Sequence, residues 1–281
     1  LRALADGFKQ ALRSHAELFE LVEADICDRI AIQDLFERTR PTGVIHLAAK
    51  AGVRPSIADP VGYARVNVLG TATILDAAQK AQVRGCDRVV LASSSSVYGN
   101  CPTAPFQEDM DVNSPISPYA ATKRASELLA RSHHALTDQP VACLRFFTVY
   151  GPGQRPDLAI ASFLGKVSRG EQIQIFGDGK TSRDYTYVED IVTGVLAAYE
   201  RIPRFGYRVW NLGNSSPITL NNMIETVSHV VGKPAQVTRV PMQPGDVERT
   251  WADLTRAKAE LEYEPSMDFQ QGVKNQWESV V

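Results

Sequence analysis

The sequence has few of the features that would mark a specialised environment. Its four cysteines, Cys27, Cys86, Cys101 and Cys143, are scattered over 281 residues and form no CxxC pair. In a chain of this size that excludes a disulfide framework and points to reduced thiols in a cytoplasmic protein. No His or Cys pair has ligand spacing, so no metal site is expected. No run approaches the ~18 apolar residues of a membrane span, and no signal peptide is visible. The formal net charge is −2, so no basic footprint points to nucleic acid. There is no internal repeat and no low-complexity segment. A glycine-rich GxGxxG or GxxGxxG loop, the usual cradle for a dinucleotide phosphate, is also missing.

What is present is ordinary in amount and informative in order. Hydrophobic residues make up 44% and charged residues 22%, enough for a normal core in one large domain or two modest ones. Short apolar runs alternate with helix-like stretches over the first half. Phe19 to Ala24, Gly43 to Ala49, Asp87 to Ser93 and Val141 to Phe147 read as strands. GVIHLAA and DRVVLAS are apolar without alternation, as strands buried on both faces are. Asp28 can cap a helix running to Arg40, and Pro60 to Ala81 and Pro118 to Leu136 read as helices. Strands alternating with helices predict an α/β fold with a doubly wound parallel sheet. After Gly151 the segments shorten and Gly/Pro loops appear. This predicts one domain over 1–150 and a smaller one over 151–281, with Tyr207 to Leu212 returning to the main sheet.

The chemistry concentrates in two places. Tyr119 and Lys123, four apart in SPYAATK, fall on one helix face. A phenol with a pKa near ~10 is a poor base at neutral pH, and a nearby ammonium favours its ionised form. A YxxxK pair alone is common on surface helices. The second element is the run Ser93-Ser94-Ser95-Ser96, directly after a buried strand and 25 residues before Tyr119. In open α/β sheets ligands bind beyond the carboxyl ends of the strands, and four hydroxyls there are costly to bury without partners. His46, within an apolar strand, reads as structural.

With these pieces in hand, the chain resembles the extended short-chain dehydrogenase/reductase family, in its NAD-dependent epimerase/dehydratase branch. The matching segments are HLAAKAGVRPS, NVLGT, SSSSVYG, SPYAATK, RFFTVYGPGQRPD, FGDGKTSRDYTYVEDI, NLGN and QPGD. They run in family order over nearly the whole chain. Within the branch, SSSSVYG, RFFTVYG and RPD look most like the UDP-glucuronate 4-epimerases.

The resemblance implies a Rossmann-type sheet, bound NAD as cofactor and a UDP-sugar substrate. Tyr119 would be the base acting on the sugar 4-hydroxyl, and Lys123 would hold the nicotinamide ribose and keep Tyr119 acidic. Ser94 would hydrogen-bond the same oxygen. Hydride would leave C4 to give a transient 4-keto sugar and return to the other face. Asp25 and Ile26 would meet the adenine. Ala48, Ala49 and Lys50 would line the cofactor groove, and Asn67 would touch the nucleotide. On the substrate side, Arg183 would meet the diphosphate, Arg155 the sugar, and Asp246 with Arg249 the ribose and its surroundings. Ser95, Ser96 and Thr148 would line the sugar pocket. Dehydratases of this branch place Asp-Glu after the catalytic Ser/Thr, and decarboxylases carry a Glu. Two hydroxyls cannot do carboxylate acid–base work, but they can donate to a substrate carboxylate.

UDP-glucuronate to UDP-galacturonate is therefore the expected reaction. Another 4-epimerase, acting on UDP-glucose or a UDP-N-acetylhexosamine, is an open alternative, as is a dehydratase or decarboxylase. So is a non-catalytic short form that only binds nucleotide sugars. The resemblance also implies a homodimer formed through the helices Pro60–Ala81 and Pro118–Leu136. Finally, the family's first strand, glycine-rich loop and second strand would precede Leu1. On that reading the chain begins inside a longer pattern, its sheet lacks two strands, and by itself it would bind NAD poorly and be inactive.

Overall fold

The computed structural model describes residues 19–241 and 247–280. In chain order its elements begin with α1 (Arg29–Thr39), β1 (Val44–His46), α2 (Val53–Ala58) and α3 (Pro60–Tyr63). A π-helical turn over Ala64–Leu69 leads into α4 (Gly70–Gln82), followed by β2 (Val89–Ser94), α5 (Pro118–Thr137), β3 (Val141–Phe146) and β4 (Thr148–Tyr150). Then come α6 (Ala159–Ser168), β5 (Ile173–Phe176), β6 (Ser182–Tyr187), α7 (Val188–Arg201) and β7 (Tyr207–Leu212). The chain continues with β8 (Pro217–Thr219), α8 (Leu220–Val231), β9 (Val237–Val240), α9 (Thr255–Leu261) and α10 (Phe269–Glu278).

The main sheet has the order β1-β2-β3-β7, and every neighbouring pair is parallel. Parallel strands need crossover connections, and here helices supply them on both faces. Val89, Val90, Val141, Ala142, Leu144 and Leu212 are fully buried, as the unalternating apolar runs predicted. Asp28 caps α1, its carboxylate accepting from the Ile30 and Ala31 amides. Ser117 caps α5 through the Ala120 amide, with Pro118 at the first turn.

Three expectations change. Phe19–Ala24 forms no strand. Its composition suits a strand, but a strand exists only by pairing, and β1 pairs with β2 alone among the described residues. Ile45 and Leu47 accordingly stay exposed at that edge. Second, the helix expected over 60–81 is interrupted by the π turn, inside which Asn67 is buried and its carbonyl accepts from the Thr71 and Ser126 hydroxyls. Third, a division at residue 150 does not follow the cores. Ile191, Ile202, Ala252, Leu261 and Tyr263 pack with Val90, Leu144 and Trp210 of the main sheet. A separate core forms from Tyr150, Ile160, Leu164, Ile173, Met223 and Val273. The chain thus crosses between lobes several times. It does so because α7, β7 and α9 present apolar faces to the main sheet, and each crossing brings loops to the carboxyl ends of β2 and β3.

Candidate active site

The parallel sheet ends its strands at one rim, and the site lies there. β2 stops at Ser94, whose hydroxyl caps a 3₁₀ turn over Ser95–Tyr98 by accepting from the Ser96 amide. α5 runs back against this rim. Its first turn is held twice: Ser117 accepts from Ala120, and the Ser56 hydroxyl of α2, fully buried, accepts from the Tyr119 amide. Tyr119 therefore has a fixed backbone. Its ring packs edge-on against Tyr63, with centroids 6.2 Å apart.

The Ser94 hydroxyl lies close enough to the Tyr119 phenol to favour its ionised form. Burial pushes the Tyr119 phenol above its ordinary value and Tyr63 adds to the rise, while the Ser94 hydroxyl and the Arg155 charge pull it down. The Lys123 ammonium donates to the Ala92 carbonyl at 2.7 Å. Burial lowers its own pKa to about 8, because a desolvated cation is disfavoured.

Behind this pair lies a buried polar network that motif reading missed. Glu127, one turn beyond Lys123, accepts from Ser93 at 2.6 Å, from Arg145 through both oxygens at 2.9 Å, and from Arg124 at 3.1 Å. Burial alone would raise its carboxyl, but Arg145, Ser93 and Arg124 bring it below the usual carboxylate range. Arg145 also donates to Tyr98, and Tyr98 to Asn211 on β7. His46 is buried with Thr71 as partner at 3.2 Å, and burial, helped by Lys123, lowers its pKa to about 4.

On the cofactor side, Ala48 is exposed and Ala49 half-buried, just beyond the end of β1. Lys50 pairs with Asp59. Asn67 is buried and turned towards Lys50. Its amide accepts from the Lys50 backbone N–H at 2.8 Å, donates to the Lys50 carbonyl at 3.0 Å and donates to Thr122 at 3.0 Å. It fixes the segment that lines the groove. Asp25 is exposed, accepts from the Cys27 amide and pairs with Arg65. Ile26 packs with the α1–α4 core.

On the substrate side, a cavity of about 180 Å³ brings together Ser95, Ser96, Thr148 and Arg183, with Ser117 and Thr250 in its wall. Among the described residues no carboxylate lines it. Arg183 also reaches a second cavity of about 470 Å³, where Arg54, Lys166, Phe176 and Tyr185 join it. Neither Arg54 nor Lys166 stood out in the sequence. Arg54 stacks over Phe176 at 4.4 Å. Arg249 lies apart, lining a third cavity of about 680 Å³ with Lys180. It is bridged to Ser182, the residue before Arg183. Arg155 is paired with Asp157 and donates weakly to Ala51 at 3.4 Å. Asp246 lies outside the described residues. Asp184, next to Arg183, is buried and accepts from the Asn214, Ser215 and Ala252 amides. It ties the strand carrying Arg183 to the chain leaving Arg249. Among the described residues no cluster of metal-ligating side chains occurs, and no helix is long and apolar enough to cross a membrane.

The sequence profile described as GDP-mannose 4,6 dehydratase matches residues 4–276. The chain belongs to this family. The UDP-glucuronate 4-epimerase of Thermodesulfobacterium geofontis is 40% identical over 92% of this chain and 78% of its own length. Among solved structures, the UDP-glucuronic acid 4-epimerase of Bacillus cereus, in complex with UDP-glucuronic acid and NAD, superposes with a TM-score of 0.90. It is 31% identical, over 99% of this chain and 86% of that one. The UDP-glucose 4-epimerase of Thermotoga maritima, with UDP-glucose, reaches 0.86 at 30% identity, over 92% and 83%. Proteins similar to this chain thus include 4-epimerases as well as the dehydratase of the family's description.

Proposed function

We propose that the protein is an NAD-dependent nucleotide-sugar 4-epimerase that converts UDP-glucuronate to UDP-galacturonate. The observation that carries the sugar assignment is the 180 Å³ cavity, where the hydroxyls of Ser95, Ser96, Ser117, Thr148 and Thr250 meet the Arg183 guanidinium and, among the described residues, no carboxylate lines the wall. An anionic C6 group suits these donors. Elimination of water or loss of CO2 would need an acid or base, and Ser95 and Ser96 cannot serve as one.

The donor set at the rim fits the nicotinamide end of NAD. Tyr119 and Lys123 share a helix face, and with one N–H on Ala92 the ammonium has two more to offer ribose hydroxyls. Ala48, Ala49 and the Asn67-braced Lys50 backbone would line the rest of the groove, with Asp25 and Ile26 towards the adenine. When bound, NAD accepts hydride from the sugar C4 and returns it. Tyr119 takes the proton of the 4-hydroxyl and later gives it back. Ser94 donates a hydrogen bond to the same oxygen. In the 470 Å³ cavity, aromatic rings beside Arg54, Lys166 and Arg183 suit a nucleobase and a diphosphate. Arg155, whose charge reaches Tyr119, faces the sugar. Asp246 and Arg249 are assigned to the nucleotide ribose on the family pattern alone.

Product analysis by NMR after incubation with UDP-glucuronate tests the assignment. UDP-galacturonate is expected, with no 4-keto-6-deoxy product and little CO2. A dominant pentose or deoxy product overturns it, and a tenfold preference for UDP-glucose moves the substrate to a neutral sugar. A homodimer is also proposed. The π turn and α5 carry Leu69 and Leu128, each about half exposed, and these segments pack side by side. Light scattering at micromolar concentration should give twice the chain mass.

A further inference from the structure

Three side chains at one-turn spacing along α5 dock on three consecutive residues at the end of β2. Lys123 donates to Ala92 and Glu127 accepts from Ser93, while the Tyr119 phenol lies near the Ser94 hydroxyl. The Tyr119 and Lys123 rungs carry the groups assigned to chemistry above. The Glu127 rung carries none, yet it is the most heavily built. Glu127 has four hydrogen bonds from three residues, and its side chain is fully buried. Arg145, which grips it, comes from β3, the next strand of the sheet.

From this ladder we infer that Glu127 and Ser93 are positioning residues, which set the phase of α5 against β2 so that Tyr119 and Lys123 converge at Ser94. The inference rests on the assignment of Tyr119 and Lys123 given above. The physical reason lies in the number of constraints. The Lys123 rung rests on a single side-chain bond to β2, and substrate or cofactor would compete for it and for the Tyr119 phenol. Glu127 lies too deep to be contested. Because its carboxylate spans Ser93 and Arg145, sliding or rotating the helix would leave a buried charge short of partners, which is strongly unfavourable. The rim can then exchange partners at Tyr119 and Lys123 without the helix moving.

Glu127→Gln strips a buried guanidinium of its counter-charge and can unfold the protein, so the decisive variant is Ser93→Ala. It removes the rung and keeps the Glu127–Arg145 pair. Two readouts are taken. One is kcat and KM for UDP-glucuronate against pH. The other is the phenol midpoint of Tyr119, from tyrosinate absorbance corrected with Tyr119→Phe, which needs no sugar. Ser93→Ala should lower kcat about tenfold at constant KM and move the Tyr119 midpoint by about half a pH unit or more. Ser93→Thr, which restores the hydroxyl, should recover both. If kcat and midpoint stay at wild-type values, or if only the melting temperature falls, the positioning role is overturned. A wild-type protein that turns over no UDP sugar but shows the midpoint shift keeps this inference and discards the epimerase assignment.

Discussion

On the strand-end wall of the site, Ser94, Lys123 and Glu127 are each less than a tenth exposed, and each side chain ends on a partner inside the fold. On the facing wall, Arg155 and Arg249 are exposed and Arg183 is half-buried. Their guanidiniums rest on backbone carbonyls of Ala51, Pro102, Ser182 and Glu248, or on Asp157 next door. The contrast separates two tasks. Proton transfer needs geometry fixed before substrate arrives, and buried polar groups with every partner in place provide it. Anion recognition needs cations that can leave weak partners for strong ones, and a guanidinium on a carbonyl loses little when a phosphate replaces it.

If that division is right, the largest effect comes from the fixed wall. Tyr119→Phe keeps the ring against Tyr63 and removes the reacting oxygen. It should lower kcat about a thousandfold, about 4 kcal/mol of transition-state stabilisation, with KM and the melting temperature nearly unchanged. Steady-state kinetics decide it, and a variant that retains more than about a tenth of kcat removes Tyr119 from the role of base.

Next in size is an acid sensitivity of the fixed wall. His46 has a folded pKa of about 4 against an ordinary 6.5. A group whose pKa is depressed on folding contributes stability that is present above 6.5 and lost as pH falls through about 4. The loss attributable to His46 should approach about 3 kcal/mol at full protonation. Denaturant titrations of wild type and His46→Gln from pH 7 to 4 should converge as the pH falls. Parallel curves would show that His46 is not what the fixed wall loses in acid.

The adjustable wall should respond in binding. Arg183→Ala should raise KM for the UDP sugar by about thirtyfold, about 2 kcal/mol, with a smaller change in kcat. An equal fall in kcat would place Arg183 with the fixed wall. The smallest change is the most selective. Thr148→Ala should cost UDP-glucuronate a few-fold in kcat/KM, about 1 kcal/mol, and leave UDP-glucose almost untouched. Competition between the two sugars measures it directly.

The two walls also differed in how far sequence could describe them. Ser94, Tyr119 and Lys123 were legible because helical spacing and a strand end suffice to bring them together, and the strands β2, β3 and β7 were legible from short, mainly apolar runs between helix-like stretches. Glu127 was not. In sequence it is one more charge on a helix, and Arg145 interrupts an otherwise apolar strand. Their pairing, 18 residues apart, appears only when α5 lies over β2 and β3. For Asn67 the motif marked the neighbourhood, and the structure adds the bonds its amide makes from the π turn to Lys50 and Thr122. Phe19–Ala24 had the composition of a strand, and pairing, which composition cannot encode, decided otherwise. Arg54 and Lys166 reach Arg183 only through tertiary structure.

The π turn over Ala64–Leu69 works as a phase adjuster. An extra residue within a helical run rotates everything upstream of it by about 100° relative to everything downstream. Upstream, α3 aims Tyr63 at Tyr119. Downstream, α4 aims Ile74, Leu75 and Ala78 into the core. The irregular turn lets a single helical run face the reaction at one end and the hydrophobic interior at the other.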